Sequence, residues 1–150
     1  MLSLCLHSAL LAQLAACEAL HALGPATVII TSMDVAGDAG FLTLVSCTRV
    51  AQAAGSPARF RMRVPKREGY ITGAGDLTAA LLLARSAGAP DRLAAAAEAA
   101  VASVQGVLQR TAAFAAAPGA PAGPAGRELR LVQSAADITT PAISFRAEPL

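Results

Sequence analysis

Apolar positions along the chain change period several times, and each change predicts an element. Leu11, Leu14, Glu18 and His21 keep helical spacing, so a soluble amphipathic helix is predicted over about residues 8–22, ended by Gly24-Pro25. "TVIITS" (27–32) is β-branched with little alternation, the pattern of a strand buried on both faces as in a parallel sheet. "DVAGDAG" is a turn, "FLTLVSC" (41–47) a second strand and "AQAAGSPA" a loop. In "RFRMRV" (59–64) charges alternate with Phe60, Met62 and Val64, which predicts a half-buried strand near an edge. Pro65 to Gly69 turn the chain into "YIT" and then into the loop Gly73-Ala74-Gly75. From Asp76 a helix runs to about residue 87 and stops near Gly88-Ala89-Pro90. Asp91 is placed as the N-cap of a long helix over 92–117, because a short acidic side chain satisfies the first amides of a helix.

Beyond it, residues 117–126 ("APGAPAGPAG", counted from Ala117) form a flexible Pro/Gly/Ala loop. "ELRLVQS" (128–134) is predicted as a strand, 135–140 as a turn and "AISFRA" (142–147) as a terminal strand. Strand and helix segments alternate, so the expected class is α/β with helices flanking a mostly parallel sheet. No internal repeat is present.

Composition changes this picture in few places. The 150 residues suit one domain with a real core, but 38 of them are Ala and only 3% are aromatic, which limits packing volume. Net charge is +2, and five cations fall in one run, Arg59, Arg61, Arg63, Lys66 and Arg67. Such a run is read as a solvated face, with a phosphate-facing edge as the alternative. It lacks interleaved aromatic platforms or a recognition-helix pattern, so nucleic acid is not an expected partner.

"MLSLCLHSALLAQLAAC" looks like a secretory h-region, yet no Lys or Arg precedes it. No run reaches about 18 uninterrupted apolar residues, so no membrane span is expected. Cys5, Cys17 and Cys47 are dispersed and in no metal-ligand spacing. Their odd count suits a reducing compartment, where buried Cys acts as a small hydrophobe.

The stretch that carries chemistry is "YITGAGDLTAALLLA" (70–84). A helix start offers unpaired backbone N–H groups and the positive end of the helix dipole. Gly73 and Gly75 let a ligand approach that backbone without a Cβ in the way. Together they make an anion site that is neither a Walker A loop nor GxGxxG. An acid at such a site would repel the anion, unless it acts on a neutral hydroxyl that attacks a bound phosphate. The plain alternative is that Asp76 is the N-cap of a helix over 77–87.

"YITGAGDLTAALLLA" resembles the Gly-X-Gly-Asp signature of the ribokinase-like superfamily. Four stretches in order are similar to the C-terminal half of pyridoxal kinases: "LGPATVIITSMD" (23–34), "RMRVPKREGYITGAGDLTAALLLA" (61–84), "VASVQGVLQRT" (101–111) and "ELRLVQSAADITTPAISFRAEPL" (128–150). "VLQRT" and "LRLVQS" are not expected in a generic sugar or nucleoside kinase. The resemblance covers about residues 15–150 and leaves 1–14 unplaced. The expected fold is therefore ribokinase-like, the C-terminal portion of such a kinase domain, incomplete at the N-terminal side.

The resemblance implies ATP-dependent phosphorylation of the 5′-hydroxymethyl of pyridoxal, and also of pyridoxine and pyridoxamine, with Asp76 as general base. Gly73, Ala74 and Gly75 would form the anion hole, with Gly73 and Asp76 facing the substrate. Thr31, Ser32 and Ala74 would meet ATP phosphates, and Arg67, Glu68 and Gly69 would flank the adenine. The implied cofactors are ATP with Mg2+ (or Zn2+) and a monovalent cation, K+ or Na+, near Thr27. A cytosolic homodimer is implied as well. The family usually has Thr where this chain has Ala74, which removes a hydroxyl donor worth about 1.5–3 kcal/mol to a charged acceptor. A second reading is a catalytically inactive truncated isoform that retains nucleotide or partner binding.

Overall fold

The computed structural model describes residues 2–35, 37–67 and 71–150, with side chains from residue 10 onward. Two compact units are built from interleaved segments. Met1–Lys66, Pro90–Ala95 and Phe145–Leu150 form the first, and Arg67–Ala89 with Ala96–Ser144 the second.

In the first unit, helix α1 (Leu2–His21) leads into strands β1 (Thr27–Met33), β2 (Phe41–Thr48) and β3 (Arg59–Pro65), with a short β4 (Glu148–Pro149). The sheet order is β1-β2-β3-β4 and every neighbour is antiparallel, which corrects the expectation of a mostly parallel sheet. The reason lies in the connections. Residues 34–40 and 49–58 join consecutive strands, and such short links carry no crossover helix, without which parallel neighbours cannot be joined. The unbroken apolar run of β1 gives no information on strand direction.

Leu14 and Cys17 of α1 pack with Val28, Ile30, Met33, Val45 and Cys47 to form the core on one sheet face. His21 Nδ1 meets the Pro25 carbonyl oxygen at 2.8 Å and closes the helix-to-strand turn. The opposite face carries Leu44, Ser46, Phe60 and Met62, all buried.

In the second unit, α2 (Ala74–Gly88) and most of α3 (Leu93–Ala115) are joined by a 3-10 turn (Gly123–Arg127), another at Val132–Ser134, and the short α4 (Ala135–Thr139). Both C-terminal strand expectations fail here. Residues 128–134 run as an irregular stretch into a 3-10 turn, and 142–147 form no strand, leaving only 148–149 paired to β3. Alternation in "ELRLVQS" has another cause. Its backbone is fastened locally, with Arg130 N donating to Thr111 Oγ1 at 3.1 Å and Ser134 N to the Arg130 carbonyl at 3.0 Å.

Asp91 does not cap α3, which begins two residues later. The side chain of Gln52 takes that role, with Oε1 accepting from Leu93 N at 3.1 Å and Nε2 donating to the Pro90 carbonyl at 3.1 Å. α3 is buried on nearly all sides from Leu93 to Leu108, so its sequence of Ala and Val shows little amphipathic stripe. Gly106 lets α4 come close, since a Cβ there would stand 2.9 Å from Asp137 Cβ. Arg110 then holds Asp137 through Nη2 at 2.9 Å.

Thr111 is 1% exposed and its hydroxyl both donates to the Val107 carbonyl (2.8 Å) and accepts from Arg130 N. Thr111→Val removes the acceptor and leaves that backbone donor unpaired. A loss of about 1–3 kcal/mol in urea unfolding is expected, and a smaller one for Thr111→Ser, which keeps the hydroxyl.

Candidate functional site

The glycine loop lies at the start of α2. Gly73 is the residue before the helix and holds the left-handed conformation, φ 86° and ψ −2°, which a glycine adopts without steric cost. Leu77 N donates to the Gly73 carbonyl at 2.9 Å, closing the first turn. The amides of Ala74, Gly75 and Asp76 lie in that turn, where helix geometry offers no intrahelical acceptor. No side chain caps them.

Asp76 is therefore the third helical residue, and the reading of it as the N-cap is overturned. Its carboxylate is exposed at the positive end of the dipole, a place where an acid is stabilised. Thr78 Oγ1 donates to the Ala74 carbonyl at 2.7 Å and pins the backbone of the X position. This arrangement can cradle an anion on three amides with one carboxylate beside it. In the same unit, Arg67 Nε donates to Gln105 Oε1 at 2.9 Å. Glu68 and Gly69 lie outside the described residues.

Thr27, Thr31 and Ser32 belong to β1 in the first unit. Thr31 and Ser32 are exposed at its end. Ser32 is the non-glycine residue with positive φ, 60°, among those described, and it sits where the β1–β2 register slips between Ile30 and Met33. Such strained, exposed positions cluster at ligand sites. Thr27 Oγ1 shares a 2.7 Å hydrogen bond with Thr48 Oγ1, its cross-strand partner.

The basic run forms a row along one face of β3. Arg59 Nη2 reaches Glu18 Oε1 at 2.6 Å, Arg61 Nε reaches Glu148 Oε2 at 2.8 Å, and Arg63 holds Asp38 bidentately at 2.8 and 2.6 Å. Lys66 pairs with Asp34. The Arg63 guanidinium holds the Asp38 carboxyl below the usual carboxylate range, mainly through its hydrogen bonds. Burial, then the hydrogen bond that the Cys17 S–H donates to Cys47, pushes the Cys17 thiol up to about 12, so it stays protonated within the core.

No protein-family model matches the chain. It is 38% identical over 133 residues to the pyridoxal kinase of Arabidopsis thaliana, covering 89% of this chain and 42% of that protein. With the pyridoxal kinase of Sus scrofa it shares 40% over 144 residues, 91% of this chain and 45% of that one. Its fold matches the solved pyridoxal kinase of Leishmania donovani in complex with ADP at a TM-score of 0.72 and 30% identity, over 87% of this chain and 42% of that structure. Most of this chain is similar to part of these pyridoxal kinases. It spans less than half the length of these relatives. Among the described residues, no helix is long and apolar enough to cross a membrane.

Two groups of residues escaped the sequence reading. Gln105 is buried to 8% exposure within the apolar α3, and an amide set among Val and Ala there was the available signal. Gln13 and Thr43, both buried, are polar residues on elements read only for their apolar pattern.

Gly73→Ala puts a Cβ on a left-handed residue, 3.4 Å from Leu129 Cδ1. A stability loss of about 1–2 kcal/mol is expected in chemical denaturation. Asp38 is depressed in the fold, so its pairing with Arg63 stabilises above the ordinary Asp value of about 3.9 and is lost as pH falls through the folded value. The stability gap between the wild type and Arg63→Gln should be present at neutral pH and shrink in acid, as followed by thermal melts across that range.

Proposed function

We propose that this chain carries the phosphoryl-transfer side of a pyridoxal kinase. The observation that carries the reading is the left-handed Gly73 turn, which presents the amides of the first α2 turn beside the Asp76 carboxylate. Asp76 takes the proton of the 5′-hydroxyl of pyridoxal, pyridoxine or pyridoxamine. That oxygen bonds to the γ-phosphorus of ATP while the bond from γ-phosphorus to the β-phosphate oxygen breaks and ADP leaves. The amides around Gly73, Ala74 and Gly75 offset charge on the moving phosphoryl group, the main electrostatic contribution in such reactions.

Thr31 and Ser32 contact the phosphates in this reading, supported by the strained backbone at Ser32. Arg67, Glu68 and Gly69 flank the adenine. The ADP in the Leishmania donovani structure favours a nucleotide ligand here. Mg2+ or Zn2+ would enter with the nucleotide phosphates, the usual way Mg2+ is held. Among the described residues no three His, Cys, Asp or Glu side chains converge to cage an ion. A K+ or Na+ ion near Thr27 would require the hydroxyl now shared with Thr48. A cytosolic homodimer completes the reading.

The test is ATP-dependent phosphorylation of pyridoxal by the purified protein. Asp76→Asn should lower turnover by about 10²–10⁴, the range for a general base. Ala74→Thr, which restores a donor to the phosphate, should raise it by about tenfold. Turnover that survives Asp76→Asn unchanged would refute Asp76 as base. A folded wild type with no turnover would leave nucleotide or partner binding as the second reading.

A further inference from the structure

Two thiols meet in the core of the first unit. Cys17 of α1 is 0% exposed, Cys47 of β2 is 2% exposed, and both are free. They belong to one buried cluster with Val28 and Val45, and Val28 is the cross-strand partner of Cys47. The Cys17 S–H donates to the Cys47 sulfur, so the two side chains point at each other. Leu14, Ile30 and Met33, packed around the cluster, have no side-chain N or O atom to offer either thiol.

As packing alone, each position asks only for a small hydrophobe, which is how a buried Cys behaves. Contact between two thiols from different elements has a further consequence. A disulfide needs side chains that already face each other, and this pair meets that condition across the packing of α1 on the sheet. The two sulfurs are not equivalent. Cys17 is fully enclosed and its raised thiol stays protonated, whereas Cys47 keeps a trace of exposure. First attack on an oxidant therefore falls to Cys47, and Cys17 stands ready to resolve it.

We propose that Cys17 and Cys47 form an internal disulfide when the chain meets a peroxide, a redox-sensitive staple between α1 and β2. The Cys47 thiolate attacks one peroxide oxygen, the O–O bond breaks, and the departing hydroxide takes up the proton that Cys47 released, as water. Cys47 is then a sulfenic acid. The Cys17 sulfur attacks the Cys47 sulfur, the S–O bond breaks, and hydroxide leaves with the Cys17 proton as a second water. Each sulfur gives up one electron and the peroxide is reduced. Both thiols are enclosed, so the peroxide reaches them during brief openings of α1, and the response is slow. The closed loop contains all of β1, which ties helix to sheet around the strand that carries Thr31 and Ser32. This goes beyond the kinase reading and does not depend on it.

The test uses the full chain with Cys5→Ser, which leaves only these two thiols, treated with hydrogen peroxide at neutral pH without denaturant. Remaining thiols are counted by alkylation in urea, and the protein is then cut after Glu18, which separates the two cysteines along the chain. Both thiols should be lost together, with the fragments on either side of Glu18 held to each other until dithiothreitol is added. The oxidised chain should melt about 5–10 °C higher than the reduced one, because the bond restricts the unfolded chain. This measurement alters nothing in the core. Cys17→Ala, which removes the resolving sulfur, should stop the reaction at a sulfenic acid on Cys47 that dimedone traps. Thiols that still alkylate after prolonged exposure, thiols lost without a link across Glu18, a bond only between two copies, or an oxidised chain that melts no higher would each overturn the inference.

Discussion

At Gly73 the backbone crosses to φ 86° and α2 starts on the next residue, so one glycine decides where a turn of amides and one carboxylate stand. The same helix dipole acts on both. It draws an anion to the amides and also steadies the Asp76 carboxylate three residues on. An acid and a phosphate at one helix end oppose each other, and that opposition eases when the acid takes a proton from an incoming hydroxyl. Thr78 and Leu77 fix the turn from inside the helix, which leaves its outer side for ligand. The geometry is local, with every bond lying within residues 73–78.

The first unit handles charge differently. Arginines at 59, 61 and 63 stand in one row, and acids from three separate segments meet them: Glu18 on α1, Asp38 between strands and Glu148 on β4. Exposed pairs of this kind contribute little stability one by one. Their value is positional, because each fork is held at one edge and its direction is set. The row read from sequence as a solvated face is thus a paired one.

Strand and helix positions were legible from periodicity alone for the first two-thirds of the chain. "FLTLVSC" and "RFRMRV" became β2 and β3 within a residue, because turn residues bounded each run. Strand direction was not legible, since an apolar run such as "TVIITS" reads alike in a parallel core strand and in an antiparallel strand under a helix. The C-terminal segments misled for a related reason. In "ELRLVQS" the alternation of Leu and polar residues suits a strand, but contacts to Thr111, distant in sequence, decide its path. Of the site, the Gly-X-Gly-Asp order was plain while the cap was not. Asp is the commoner capping residue, yet the left-handed glycine three positions earlier took the place. Gln52 at the start of α3 shows the same limit, since a cap from another loop leaves no local pattern.

The pairing of Arg61 with Glu148 spans 87 positions, and Leu150 N closes on the Arg59 carbonyl at 3.1 Å beside it. During synthesis on the ribosome, β3 emerges long before the residues that cover its outer edge. A strand edge without its neighbour is a template for wrong pairing. Charge beside such an edge discourages a second copy from adding there. Of the three acids that meet the row, Glu18 and Asp38 precede β3 in the chain and Glu148 alone is made after it.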